Sequence, residues 1–116
     1  MPVITRYVFI ASMDVAPEKE ALFNEVYETE HVPNLLKVPG VRAVTRLRTE
    51  PASLVIGGQT KRLTGEGAPS YTAIYEIDSP GVINSAAWAE ASELGRWPTE
   101  VRPHTSNRHH IVRKRV

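Results

Sequence analysis

Two short stretches constrain this chain more than any others. "RYVFIASM" (residues 6–13) and "YTAIYEI" (residues 71–77) are runs of β-branched, aromatic and other apolar residues with few polar interruptions. A strand with one wet face alternates apolar with polar side chains, whereas a strand apolar at successive positions is covered on both faces. Each run is therefore expected as a central strand, and a helical signal follows each. After the first, "APEKEALFNEVYETEHV" puts Pro17 in a first turn and Glu18 and Glu20 at the positive helix end. Its Leu22, Phe23 and Val26 form one apolar stripe. This helix is expected over residues 17–31, with "PNLLK" as a possible extra turn before "VPG" breaks the chain. After the second, "DSPGVINSAAWAEASELG" offers Ser79 and Pro80 as cap and first position, Ser85 as a second cap, and Gly95 as a stop.

The remaining elements complete a pattern. "VRAVTRLR" (residues 41–48) alternates and reads as a half-buried strand, and "SLVIGGQTKRL" reads as a hairpin turned at Gly57-Gly58. "RWPTEVRP" is irregular, and "HTSNRHHIVRKRV" contains a strand-like Ile111-Val112 in a basic stretch, with Arg113, Lys114 and Arg115 as a solvated tail. No internal repeat stands out. The order strand, helix, strand, hairpin, strand, helix, strand is the split βαβ pattern of a ferredoxin-like α+β fold. Both helices then lie on one face of an antiparallel sheet. With 116 residues the chain makes one domain, spanning residues 1–116. It has no elements left to cover the second sheet face that the two apolar strands require. A second copy is the simplest cover, so a homodimer packed sheet to sheet is expected.

Composition excludes several roles. Lys and Arg number 14 against 13 acidic residues, a net charge of +1, which gives no strong pull toward nucleic acid or an anionic membrane. There is no cysteine, hence no disulfide or thiolate metal site. The start, "MPVITRYVFIASMDV", lacks a basic leader region and a span-length apolar run, so a cytoplasmic protein is expected. The glycine pairs lack the strand–loop–helix setting and Lys-Ser/Thr of a phosphate loop, and neither G-x-S-x-G nor H-E-x-x-H occurs.

The candidate site residues follow from spacing. Tyr27 and His31 are four apart and share a helix face at the edge of the apolar stripe. His31 can act as a general base near neutral pH while Tyr27 hydrogen-bonds a carbonyl or phenol; alternatively His31 only bonds a last-turn carbonyl. Glu30 leans inward by helical phase and needs a partner, for which Arg46 or Arg48 on the next strand is the structural choice. A catalytic Glu30–His31 pair is the other reading, but neighbours on a helix diverge by about 100°. Trp88, set among alanines, is either core or the flat wall of an apolar pocket, and Trp97 is expected at a cavity mouth or dimer contact. On a strand His109 and His110 face opposite sides, and His104 and His110 lie roughly 20 Å apart, so no pair there holds a metal. A metal or haem site would require one of them to meet His31 across the fold.

"FNEVYETEHVPNLLKVPGV", "RAVTRLR", "YTAIYEIDSPGVINSAAW" and "RWPTEVRPH" together resemble the dimeric α+β barrel superfamily, near its EthD-like branch. The likeness covers most of the chain; the insert at residues 51–67 departs from the shortest members. The resemblance implies a pocket between helices and sheet in each protomer. It implies no single reaction, since the group includes lactone isomerases, cyclases, cofactorless monooxygenases, haem-degrading enzymes and dehydratases. The reading that joins residues and resemblance is a cofactor-independent proton-transfer enzyme, of isomerase, cyclase or dehydratase type, for a cyclic or carbonyl-containing metabolite. In it His31 moves the proton, Tyr27 orients the oxygen, Trp88 and Trp97 hold the flat substrate, and Arg46 pairs with a carboxylate or enolate. The alternatives are a non-catalytic accessory protein that binds an apolar or aromatic metabolite for an oxygenase, and a haem enzyme of the same fold.

Overall fold

The computed structural model describes residues 3–116, so Met1 and Pro2 lie outside the described residues. Four strands form the main sheet: β1 (Tyr7–Val15), β2 (Val41–Arg48), β5 (Tyr71–Ile77) and β6 (Thr105–Lys114). Their order is β2-β5-β1-β6 and every neighbouring pair is antiparallel, which is the expected ferredoxin-like α+β arrangement. Strand periodicity then sorts the side chains. Ala11, Met13, Tyr71, Ala73, Tyr75 and Ile77 point to one face and are buried there beneath the helical layer, with Phe23, Val26, Leu35, Val82 and Val101. On the other face, Ile10 pairs with both Ile74 and Ile111. These three isoleucines are only half-buried in the single chain.

The first helical segment is not one regular helix. It runs through α1 (Glu20–Val26), a π turn (Tyr27–His31) and α2 (Val32–Leu36). The cause is Pro33: it has no N–H, and in a straight α-helix its ring collides with the carbonyl four residues back. The chain widens instead, and the Val32 N–H reaches five residues back to the Tyr27 carbonyl. Gly40, at φ 93°, ends the segment, where a Cβ would collide with the Val82 side chain.

The second helical segment comprises a 3₁₀ turn (Pro80–Asn84) and α3 (Ala86–Ala91). The Trp88 N–H donates to Ser85 Oγ at 3.1 Å, so Ser85 is the cap the sequence suggested. The stretch read as irregular is a second π turn (Trp97–Val101), in which the Arg102 N–H reaches back to the Trp97 carbonyl just before Pro103. The two π turns share a sequence. "YETEHVP" (27–33) and "WPTEVRP" (97–103) align as aromatic, any residue, Thr, Glu, two residues, Pro. The expectation of no internal repeat is thereby corrected: the repeat is seven residues long and three of its side chains differ in kind, which hides it in a linear reading.

This repeat belongs to a larger internal symmetry. Exchanging β1 with β5 and β2 with β6 maps the sheet order onto itself, reversed. Laying Tyr7 on Tyr71 places Ile10 on Ile74, which pair with each other, so the axis passes between them. Each outer strand also carries a bulge in a matching place, in β2 opposite the end of β5 and in β6 opposite Ser12–Asp14.

Two details complete the architecture. The insert forms a separate two-stranded hairpin, β3 (Ala52–Ile56) and β4 (Gln59–Leu63), turned at Gly57 and Gly58 with φ of 59° and 78°, and all ten strand residues are exposed. The C-terminal basic residues are not a free tail. Arg113 and Lys114 pair with Val8 and Tyr7 in β6, and the Arg115 N–H donates to the Arg6 carbonyl at 2.6 Å.

Candidate functional site

The first π turn lies over β2 and β5 and brings an unusual set of side chains together. Tyr27 is buried, and its hydroxyl shares a 3.1 Å hydrogen bond with that of Tyr75. Burial raises both phenols above their ordinary range, Tyr75 the further. Arg46 enters from β2 and places its guanidinium carbon 4.5 Å from the centre of the Tyr27 ring, with Phe23 at 5.5 Å and Tyr71 at 5.9 Å. Its Nη2 donates to Asn24 Oδ1 at 2.8 Å and its Nη1 to Glu28 Oε1 at 2.9 Å. Tyr71 donates to the Glu20 carboxylate and accepts from Asn24 Nδ2 at 3.2 Å.

Arg46 and Tyr71 separate two spaces. Inside lies a narrow interstice lined by Met13, Phe23, Tyr27 and Ala73 that is too tight for a water molecule. Outside lies an open groove of about 420 Å³, lined by Asn24, Glu28, Arg46, Leu47, Arg48 and Tyr71. That volume is within the range of small-ligand sites.

His31 sits behind this set. It is 6% exposed, its ring stacked on Trp97 at 4.2 Å and 18° and meeting the Tyr27 ring edge-on at 5.0 Å. Its Nδ1 is buried with no hydrogen-bond partner among the described residues. Burial, reinforced by Arg102 and partly opposed by Glu93, pulls its pKa down to about 4, so the ring is neutral at neutral pH. Neither the interstice nor the groove is lined by His31. Trp97 is itself buried core, meeting Tyr27 edge-on at 5.0 Å, and not the rim of a cavity mouth, because its π turn faces inward. Trp88 packs on Phe9 and Tyr75, and reaches the Tyr27 set only through the Tyr75 ring.

One expectation is corrected here. Glu30 pairs with neither Arg46 nor Arg48: its carboxylate accepts from the Arg96 N–H at 2.8 Å and from Arg96 Nε at 2.6 Å. Those bonds hold its pKa below the usual carboxylate value. The phase calculation assumed 3.6 residues per turn, and the π turn rotates Glu30 away from β2 and leaves Glu28 there instead. Gly95, at φ 68°, leaves the room: a Cβ there would collide with the Glu30 carboxylate. The aromatic rings that meet His31 are those of Tyr27 and Trp97, not a C-terminal histidine. His110 stacks on Phe9 at 5.8 Å and His109 pairs with Ser12 on the opposite sheet face. Among the described residues no three His, Cys, Asp or Glu cluster as a metal site.

Sequence reading missed Asn24, Glu28, Tyr71 and Tyr75. The two tyrosines were within reach, since strict alternation in "YTAIYEI" places both on the helix-facing side. Asn24 and Glu28 were not, because they are polar residues beside the apolar stripe and only their partner Arg46, on a strand distant in sequence, shows which way they face.

No protein-family model matches the chain, and no curated protein matches it. Solved structures do. An EthD family protein from Bacillus halodurans superposes with a TM-score of 0.59 at 15% identity, over 95% of this chain and 99% of that one. The heme-degrader MhuD from Mycobacterium tuberculosis, with two hemes bound in its active site, gives 0.61 at 13%, over 95% of each chain. A MhuD mutant with two manganese protoporphyrin IX bound per active site gives 0.62 at 14%, over 95% and 93%. The chain therefore has the ferredoxin-like α+β fold of these proteins, as its resemblance to the EthD-like group implied. Among the described residues no helix is long and apolar enough to cross a membrane.

The MhuD ligands raise the question of haem. An axial histidine must face a slot. Here one face of the His31 ring is covered by Trp97, His31 lines neither space, and His110 lies against Phe9. The residues in this arrangement do not fit a haem.

Proposed function

We propose that the chain binds a small oxygen-bearing metabolite, cyclic or carbonyl-containing, at the groove beside β2, without a cofactor. The observation that carries this reading is Arg46. A guanidinium boxed by three aromatic rings, at the junction of a dry interior and a ligand-sized groove, is a preorganised donor for developing or fixed negative charge. Tyr27 backs Arg46 with its ring, while its hydroxyl is turned inward to that of Tyr75 and would reach a ligand oxygen only if that contact opened.

The chemistry we propose for such a site is proton transfer, of isomerase, cyclase or dehydratase type. Arg46 would polarise the oxygen, and Tyr27 would join it only by opening its contact with Tyr75. His31, neutral at neutral pH, would accept a proton and would need the Trp97 stack to shift. A second reading, a non-catalytic carrier for an oxygenase, is favoured by one observation: His31 lines neither space. Either reading is expected to operate in a homodimer packed through the sheet face that presents Ile10, Ile74 and Ile111.

Native mass spectrometry of gently purified protein tests these points together. A dimer carrying extra mass supports the reading and supplies the ligand, whereas a bare monomer contradicts both dimer and site. With the ligand known, His31→Leu separates the two roles. Loss of turnover with binding retained indicates the enzyme, and full biological activity indicates the carrier.

A further inference from the structure

The Arg46–Glu28 pair is lopsided. The Arg46 side chain is 16% exposed and Glu28 is 63% exposed. Arg46 is pinned by Asn24 and by the ring of Tyr27, while Glu28 is held by Arg46 alone among the described residues. An ion pair with one partner this exposed adds little to the stability of a fold. Glu28 is thus a carboxylate resting on a fixed guanidinium at the wall of a ligand-sized groove, and little holds it there.

Arg48 stands two residues further along β2, on the same face and in the same groove, with no hydrogen-bond or ion-pair partner among the described residues. Two residues along a strand span roughly 7 Å. If Glu28 swings out, the groove presents two guanidinium groups and the Tyr71 ring.

The internal symmetry gives an independent reason to read this as a site. Glu28 corresponds to Pro98 in the second π turn. Arg46 pairs with Ala73, and its counterpart, which pairs with Phe9, is Val112. The matching place in the second half thus keeps the frame without the ion pair, so the frame does not require it.

We infer that Glu28 is a stand-in for the ligand's own carboxylate, and that the groove selects small planar carboxylates, which displace Glu28 from Arg46 and reach Arg48. This rests on the groove being the ligand site and adds the chemical class and the displacement.

The test is calorimetric titration of the full chain with 2-naphthoate and with neutral 2-naphthamide, using wild type, Glu28→Gln and Arg48→Gln. Both positions are exposed, so the variants are expected to fold. The carboxylate should bind at least about tenfold tighter than the amide, about threefold tighter still in Glu28→Gln, and about threefold weaker in Arg48→Gln. Equal affinity for the two probes, unchanged by either variant, would overturn the carboxylate class and leave a ligand groove in place. Binding of neither probe would overturn both.

Discussion

Tyr27 and Trp97 occupy matching places in the two halves of the fold, each opening a π turn that ends before a proline, and their rings meet near the internal axis. Around that shared contact the halves diverge. The first half has His31 where the second has Val101, Glu28 where it has Pro98, and Arg46 where it has Val112. Val101 is fully buried and apolar, as a core position should be. His31 is nearly as buried but carries an orphaned nitrogen. Leaving such a group unsatisfied costs on the order of 1–3 kcal/mol. The second half shows what the frame needs, and the polar excess of the first half is what needs a functional explanation.

The largest effects should come from what the halves share. Tyr27→Ala and Trp97→Ala each remove a buried aromatic and are expected to cost about 3–5 kcal/mol in urea unfolding. The double variant should cost less than their sum, because the two rings touch. Strict additivity would break the claim that they form one contact.

Next comes the difference between His31 and Val101. The folded pKa of His31, about 4, lies below its ordinary 6.5. Between those values the unfolded state binds more protons, so stability is full above pH 6.5 and falls as the pH drops toward 4. The full shift amounts to about 3 kcal/mol. His31→Leu should flatten the stability profile between pH 7 and pH 4.5, measured by denaturant midpoints; an unchanged slope would show that His31 is not the titrating group.

Gly95→Ala should lower the melting temperature more than Gly57→Ala. Both have positive φ, but only at Gly95 would the methyl group meet a carboxylate, that of Glu30 on Arg96. Equal shifts would remove Glu30 as the cause. Smallest of all, Glu28→Gln should leave the melting temperature unchanged within error, as expected of an exposed pair that the fold does not need.

Much of this frame was legible in the sequence, and the reasons are local. Strands β2 and β5 fall on the stretches that alternation and apolar density marked, and Ser85 and Gly57-Gly58 form the cap and turn their chemistry dictates. The site was legible in part: Tyr27, His31, Trp97 and Arg46 do converge. What failed was helical phase. A single π turn ahead of Pro33 moved Glu30 to Arg96 and gave Arg46 to Glu28, and nothing in a 3.6-residue period carries that rotation. Trp88, read as either core or pocket wall, packs against the core. Alanine neighbours do leave room, but Phe9 and Tyr75 fill it, and both come from strands distant in sequence.

The central claim is that ligand binding belongs to the first half alone. The most direct measurement is a map of backbone amide shifts in the isotope-labelled chain titrated with 2-naphthoate. Shifts confined to residues 24–31, 46–48 and 71, with residues 97–103 and 112–114 silent, are what this account expects. Shifts centred on the second half, or shared equally between the two, would contradict it.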